Sequence, residues 1–306
     1  MQEKSVIFLN SGQNKKYKRK ERPKTAIRTD LAIETAEIHG NNLPDSLINK
    51  EKKQGNVNIT RIKIKNKAEE TAFGRPQGDY VTLEFPDISV AEPENLKELI
   101  RDELNALLPE KRGLILVAGL GNRDITPDAL GPAAAKRIFA TRHIPPALSK
   151  TAGLENLRQV AVIAPGVLGQ TGIEAGELIK AAADRIKPDA VIVIDALAAK
   201  SPERLFKTVQ LCNTGISPGS GVKNSRKEIS EKTVGVPVIA LGVPTVIDTD
   251  TLIEELTGVS PAEKSGMFVT PKEVDMLIVR LSEILAEAIN MFLQPETDPE
   301  IISELV

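Results

Sequence analysis

Between residues 114 and 241 the chain alternates between two hydrophobic periods, and this limits its fold more than any other feature. Residues 114–118, 159–164, 190–194, 208–211 and 236–241 read as short apolar strands. Residues 133–141 and 173–186 carry apolar side chains at helical spacing instead. A strand that is apolar on both faces must be covered on both. The pattern therefore predicts an α/β fold with a mostly parallel central sheet and helices on both faces. Residues 271–292 read as a long helix with Val274, Leu277, Ile278, Leu281, Ile284, Leu285 and Ile289 along one side. Aromatic residues make up 3% of the chain and Trp is absent, so the core must be aliphatic. The apolar runs fall far short of a membrane span, and a soluble cytoplasmic protein without a membrane partner is expected.

The N-terminal part is organised differently. Residues 1–30 hold nine Lys or Arg against three acids, a net +6 that leaves −8 on residues 31–306. Such a tail can be a nucleic-acid arm, a segment folded against the acidic body, or solvated chain. Residues 31–40 read as briefly helical and 41–56 as polar loop. Alternation at 57–59 and 62–64, and again at 81–85, predicts two half-buried strands joined through Gly74, Pro76 and Gly78. Leu96, Leu99, Ile100, Leu104, Leu107 and Leu108 give a helix over 93–108. The expected division is a basic segment at 1–30, a strand-containing segment at 31–112 and an α/β core at 113–306, the last two forming one compact domain.

Several chemistries are poorly served. The chain has one Cys and two His, so neither an internal disulfide nor a His-rich zinc site is available. Cys212 lies in an apolar strand and reads as a small buried residue. Gly119-Leu120-Gly121-Asn122-Arg123-Asp124 has two glycines of a dinucleotide fingerprint but Asp at the third. Gly215-Ile216-Ser217-Pro218-Gly219 spells a nucleophile elbow, yet no His follows Ser217. No cofactor and no metal are expected.

Ligands of an open parallel sheet bind beyond the carboxyl ends of its strands. Four punctuated segments follow strands here: Gly119-Leu120-Gly121-Asn122, Pro165-Gly166-Val167-Leu168-Gly169, Asp195-Ala196-Leu197 and Gly242-Val243-Pro244-Thr245. With the turn around Gly219 and Gly221 they are expected to line one cleft. Asp128 lies in the turn after the first central strand, and Asp195 ends the 190–194 run. Two acids held close share a proton: the ionised one takes a proton from water, and the protonated one polarises a carbonyl and protonates the leaving amine. Plainer roles stay open, Asp128 as a helix-start acid and Asp195 as a strand stop.

The ordered segments Ile27-Arg28-Thr29-Asp30-Leu31-Ala32-Ile33-Glu34, Gly119-Leu120-Gly121-Asn122, Thr126-Pro127-Asp128-Ala129-Leu130-Gly131-Pro132, Ala164-Pro165-Gly166-Val167, Ile194-Asp195-Ala196-Leu197-Ala198-Ala199, Ser217-Pro218-Gly219-Ser220-Gly221-Val222, Gly242-Val243-Pro244-Thr245-Val246 and Val269-Thr270-Pro271-Lys272-Glu273-Val274-Asp275 resemble the germination proteases of spore-forming bacteria. These are atypical aspartic endopeptidases. The resemblance implies Asp128 and Asp195 as the catalytic pair and a fold like that of hydrogenase maturation proteases. It implies small acid-soluble spore proteins as substrates, a homotetramer and a location in the forespore or spore core, with no direct binding to nucleic acid. It also implies a zymogen in which 1–30 is a propeptide cut between Asp30 and Leu31. Two departures are the long basic N-terminus and the short stretch at 253–268, where relatives carry a longer insertion. The rival readings are a metal-sensing maturation protease of the hydrogenase-processing type and a non-enzymatic nucleotide-binding protein.

Overall fold

The computed structural model of the chain describes residues 29–40, 48–88, 93, 95–108, 113–145, 147, 156–219 and 227–306. In chain order the N-terminal elements are α1 (Ala32–His39), β1 (Ile48–Gln54), β2 (Val57–Ile64), α2 (Lys67–Phe73), β3 (Gly78–Glu84) and α3 (Leu96–Leu107). The central ones are β4 (Ile115–Gly119), α4 (Leu130–Ala135), β5 (Val160–Ile163), α5 (Leu168–Thr171), α6 (Ala175–Ile186), β6 (Ala190–Ala199) and β7 (Thr208–Cys212). After them come α7 (Glu231–Val234), β8 (Val238–Asp248), α8 (Thr249–Thr257), β9 (Phe268–Val269), α9 (Val274–Leu293) and α10 (Pro299–Leu305).

Among the described residues the strands form one nine-stranded sheet in the order β1-β2-β3-β7-β8-β6-β4-β5, with β9 paired to β8 outside that path. The α/β architecture expected from the sequence is present, but the sheet is mixed. β5, β4, β6 and β8 run parallel to one another. β1, β2, β3 and β7 extend that group through antiparallel pairs.

Helices cover both faces because alternate strand residues point opposite ways. Ile192 and Ile194 of β6 join Ile115 and Val117 of β4 in the larger core, under α3 and α9. Val191 and Val193 face the other way and meet Ile179 and Ala183 of α6 and Val234 of α7. Burying each such aliphatic side chain contributes about 1.5–3 kcal/mol. A third cluster joins Ala32 and Ala36 of α1 and Phe73, which ends α2, to Tyr80 and Cys212. Among the described residues no helix is long and apolar enough to cross a membrane.

Several boundaries differ from the sequence reading. Residues 48–54, expected as loop, form β1, a sheet edge whose sequence Ile-Asn-Lys-Glu-Lys-Lys-Gln is mostly charged. Charge is tolerated there because one side of an edge strand faces water. α2 was not anticipated, although Asn66 caps it by accepting the Glu69 N–H and Gly74 ends it in the left-handed region. α4 starts at Leu130 rather than 133, with Pro132 in its first turn where a missing N–H is harmless. β6 and β8 run well past the ends of their apolar runs.

Candidate active site

That extension of β6 and β8 builds the site. β4 stops at Gly119, opposite Ile194. Beyond it β6 continues without β4, still paired with β8: Asp195 with Gly242, Ala196 with Val243 and Leu197 with Pro244. Asp195 and Gly242-Val243-Pro244 are therefore ladder residues, and Thr245 is the extra residue at a register shift within β8, not the strand-ending turns expected from sequence. Their ladder continues through polar and Pro residues because pairing with the neighbouring strand, not apolarity, sustains it. Thr245 is fully buried, and its carbonyl accepts the Thr270 hydroxyl at 2.8 Å.

The chain leaving β4 folds back over this edge. The Leu120 N–H donates to the Ile194 carbonyl at 2.8 Å. A 3-10 turn at Thr126–Asp128 then packs against β6 and β8, and α4 packs against β4 and β6. Gly131 makes the approach possible: a Cβ there would lie 2.2 Å from the Leu120 carbonyl oxygen and 2.5 Å from that of Ile194. Gly121, at φ +115°, meets the same limit, since its Cβ would lie 2.0 Å from the Asp128 carbonyl oxygen. Asp128 on its turn and Asp195 on β6 are thus brought to one carboxyl-terminal edge. Asp128 Oδ2 accepts the Asn122 N–H at 2.7 Å. Asp195 is buried, and its Oδ1 accepts the Ala196 N–H at 3.0 Å.

Asn122 also ties this rim to the next. Its side-chain oxygen accepts from the Asp124 N–H at 3.0 Å and from Gln170 Nε2 at 2.7 Å. Gln170 lies on α5, just after the Pro165-Gly166 turn, and Gly166 at φ +71° faces the Gln170 side chain. Gly219, also at φ +71°, lies beyond Ser217 at the end of the described loop, and Gly221 lies outside the described residues.

A cleft of about 210 Å³ is lined by Asp30, Arg75, Leu197, Gln210, Ser217 and Gly242 among others; it reaches Gly242, the register partner of Asp195, but neither Asp128 nor Asp195 lines it. Gln210 pairs with Gly242, and Gly242 with Asp195. Paired residues point to the same face, so the three form one row across β7, β8 and β6. Cys212 also lines the cleft, and burial pushes its thiol up, away from nucleophilic use. Burial likewise pulls the Arg75 guanidinium down, while Tyr80 and the carboxylates of Asp30 and Glu34 oppose that pull. Among the described residues no group of three or more His, Cys, Asp or Glu is placed to hold a metal ion.

Asp30 lines this cleft, and Leu31 next to it turns into the main core. The Asp30 N–H donates to the Ala198 carbonyl at 2.9 Å, and the Ala198 N–H donates to Asp30 Oδ2 at 2.8 Å. Gln210 Nε2 donates to the Asp30 carbonyl at 3.1 Å, and Gln210 Oε1 accepts the Ala32 N–H at 2.5 Å. Leu31 is fully buried. Ala198 lies three residues beyond Asp195, about 10 Å along the strand. Sequence reasoning missed Arg75, Gln170 and Gln210. Gly74-Arg75-Pro76 and Val209-Gln210-Leu211 carry no local signal that their polar side chains meet residues far away in the chain.

A sequence model described as germination protease matches residues 29–260. A germination protease of Clostridium tetani is 39% identical over 320 residues, covering 91% of this chain and 98% of that protein. One from Caldanaerobacter subterraneus is also 39% identical, covering 92% of this chain and 98% of that protein. The Bacillus subtilis germination protease is 42% identical over 242 residues, covering 75% of this chain and 65% of that protein. Among solved structures, the hydrogenase maturation protease HycI of Thermococcus kodakarensis aligns with a TM-score of 0.36 at 18% identity, over 61% of this chain and 97% of that one.

Proposed function

The chain belongs to the germination protease family, and from that premise we propose that it is an atypical aspartic endopeptidase in which Asp128 and Asp195 act as a pair. The observation that carries this reading is the folding of the Asp128 turn onto the strand that bears Asp195, at the edge where a parallel sheet binds its ligands. Two neighbouring carboxyls cannot both ionise easily, so one keeps its proton. The carboxylate takes a proton from water as the water oxygen bonds to the peptide carbonyl carbon. The carboxyl polarises that carbonyl and then gives its proton to the departing nitrogen as the C–N bond breaks.

Asp128→Asn and Asp195→Asn each test this. An amide oxygen still accepts the Asn122 or Ala196 N–H, so the fold is kept while the titratable group is lost. Each variant is expected to leave a small acid-soluble spore protein uncut by mass spectrometry. Near-parental cleavage by either one refutes the pairing.

The substrates proposed are the small acid-soluble spore proteins of the spore core, cut during germination by a homotetramer. The chain is proposed to be a zymogen cut between Asp30 and Leu31, which separates a +6 segment from a −8 body. A tethered basic segment reaches a high effective concentration over an acidic surface. Support for its latency comes from the hydrogen bonds that hold Asp30 against Ala198 of β6 and Gln210 of β7.

A further inference from the structure

The turns that follow β4 and β5 are joined by one side chain. The first turn carries the Asn122 N–H that Asp128 Oδ2 accepts at 2.7 Å. It also closes on itself. The Asp124 N–H donates to Asn122 Oδ1 at 3.0 Å, the Ile125 N–H to the Asn122 carbonyl at 3.1 Å and the Asp128 N–H to the Ile125 carbonyl at 2.8 Å. Where Asn122 sits therefore sets where the Asp128 carboxylate sits. Gly121 starts this turn at φ +115°, and a glycine leaves the backbone there free to pivot.

Gln170 holds the far side of that pivot. It comes from α5, beyond the Gly166 turn that follows β5. Its Nε2 donates to Asn122 Oδ1 at 2.7 Å and to Asp124 Oδ2 at 3.0 Å. Nε2, not Oε1, must face these two atoms. A carboxylate only accepts, and Asn122 Oδ1 is already accepting the Asp124 N–H. The two hydrogens of the NH2 group match the two oxygens. The other end of the carboxamide is held as well, since a Cβ on Gly166 would stand 3.2 Å from Gln170 Oε1. Gln170 is exposed, so these bonds add little to the core; what they fix is the spacing of the two turns.

We propose that Gln170 is a positioning residue for the reaction: by bridging Asn122 and Asp124 it fixes the turn whose amide holds the Asp128 carboxylate. It acts through Asn122 and touches no reacting atom. The catalytic meaning rests on the aspartate-pair reading, while the clamp itself is open to a measurement that involves no cleavage. An interaction that orders a reacting group acts on the transition state, so its loss falls on kcat and leaves KM little changed.

The test uses the full-length chain, preincubated until its N-terminus no longer changes by mass spectrometry. Gln170→Met keeps the length and the helix propensity of Gln and removes the donors. The Asn122 N–H is followed by hydrogen-exchange NMR, and steady-state cleavage of a small acid-soluble spore protein is measured beside it. In Gln170→Met the Asn122 N–H is expected to exchange about tenfold faster, and kcat to fall about tenfold with KM within about twofold, the range of one hydrogen bond to a charged partner. Gln170→Lys donates to the same two oxygens and is expected to return both quantities to within about threefold of the parent. Gln170→Glu has the shape of Gln but sets a carboxylate against Asp124, and it is expected to fall at least as far as Gln170→Met. Unchanged exchange in Gln170→Met overturns the proposal. So does faster exchange with an unchanged kcat, a loss confined to KM, or a Lys variant no better than Met. Asp128→Asn assayed in parallel judges the pair separately. Parental cleavage by that variant refutes the pair, and the exchange rates still decide whether Gln170 fixes the turn.

Discussion

Gly131→Ala should separate activity from stability at this site. The substitution adds one methyl at the point where α4 rests on the sheet edge. That methyl would lie 2.2 Å from the Leu120 carbonyl oxygen, 2.5 Å from the Ile194 carbonyl oxygen and 2.6 Å from the Leu120 nitrogen. All three are backbone atoms of a paired strand or its immediate continuation, so α4 must yield. Relief to ordinary contact needs a shift of about 1 Å, which carries the Asp128 turn away from Asp195. Overpacking of this kind costs about 1–3 kcal/mol of stability. A misplacement of about 1 Å between reacting groups costs roughly a hundredfold in rate. The protein should therefore remain folded at 25 °C, with its urea midpoint lowered, while hydrolysis of a small acid-soluble spore protein falls about a hundredfold. Gly169→Ala is the control, since Gly169 lies in α5 with no atom within 4 Å of its Cβ position. It should leave the rate unchanged and add up to about 1 kcal/mol of helix stability. A Gly131→Ala rate within about threefold of the parent refutes the claim that this contact positions Asp128, whatever happens to stability.

Three further outcomes are expected. Glu34 is fully buried and accepts the Lys200 and Ser201 N–H groups at 2.7 and 2.9 Å, so Glu34→Gln should cost about 3 kcal/mol and lower Tm by roughly 5 °C; an unchanged calorimetric Tm argues against that role. Burial raises Cys212 above its ordinary 9.0 and Tyr80 above its ordinary 10.0, so the folded chain holds these protons more tightly than the unfolded one. Their contribution is complete below about pH 9 and drains as pH rises through the raised values, so urea stability should fall from pH 8 to pH 10.5, and Cys212→Ala with Tyr80→Phe should flatten the slope. A chain beginning at Leu31 should cut a spore-protein substrate faster from the first minutes than the full-length chain, and equal initial rates from the two would end the latency claim.

The sequence by itself determined the layered α/β arrangement and made Asp128 and Asp195 visible as candidates. Apolar runs such as 114–118 and 190–194 cannot face water on either side, so their burial between helices follows from composition and period. The long stripe of α9 followed for the same reason, and Asp128 and Asp195 were legible because acids interrupt otherwise apolar or Gly-rich stretches. Tertiary structure decided where the strands end. Asp195, Gly242 and Pro244 look like terminators when read locally, but the ladder between β6 and β8 carries the chain straight through them. β1 was hidden by its charge, which an edge strand tolerates and a central one does not. The cleft is the clearest case. Arg75 reaches Thr29 across 46 residues, Ala198 reaches Asp30 across 168 and Gln210 reaches Ala32 across 178. Local propensity and hydrophobic period act over a turn of helix or a pair of strands, whereas these contacts arise from sheet order and loop closure.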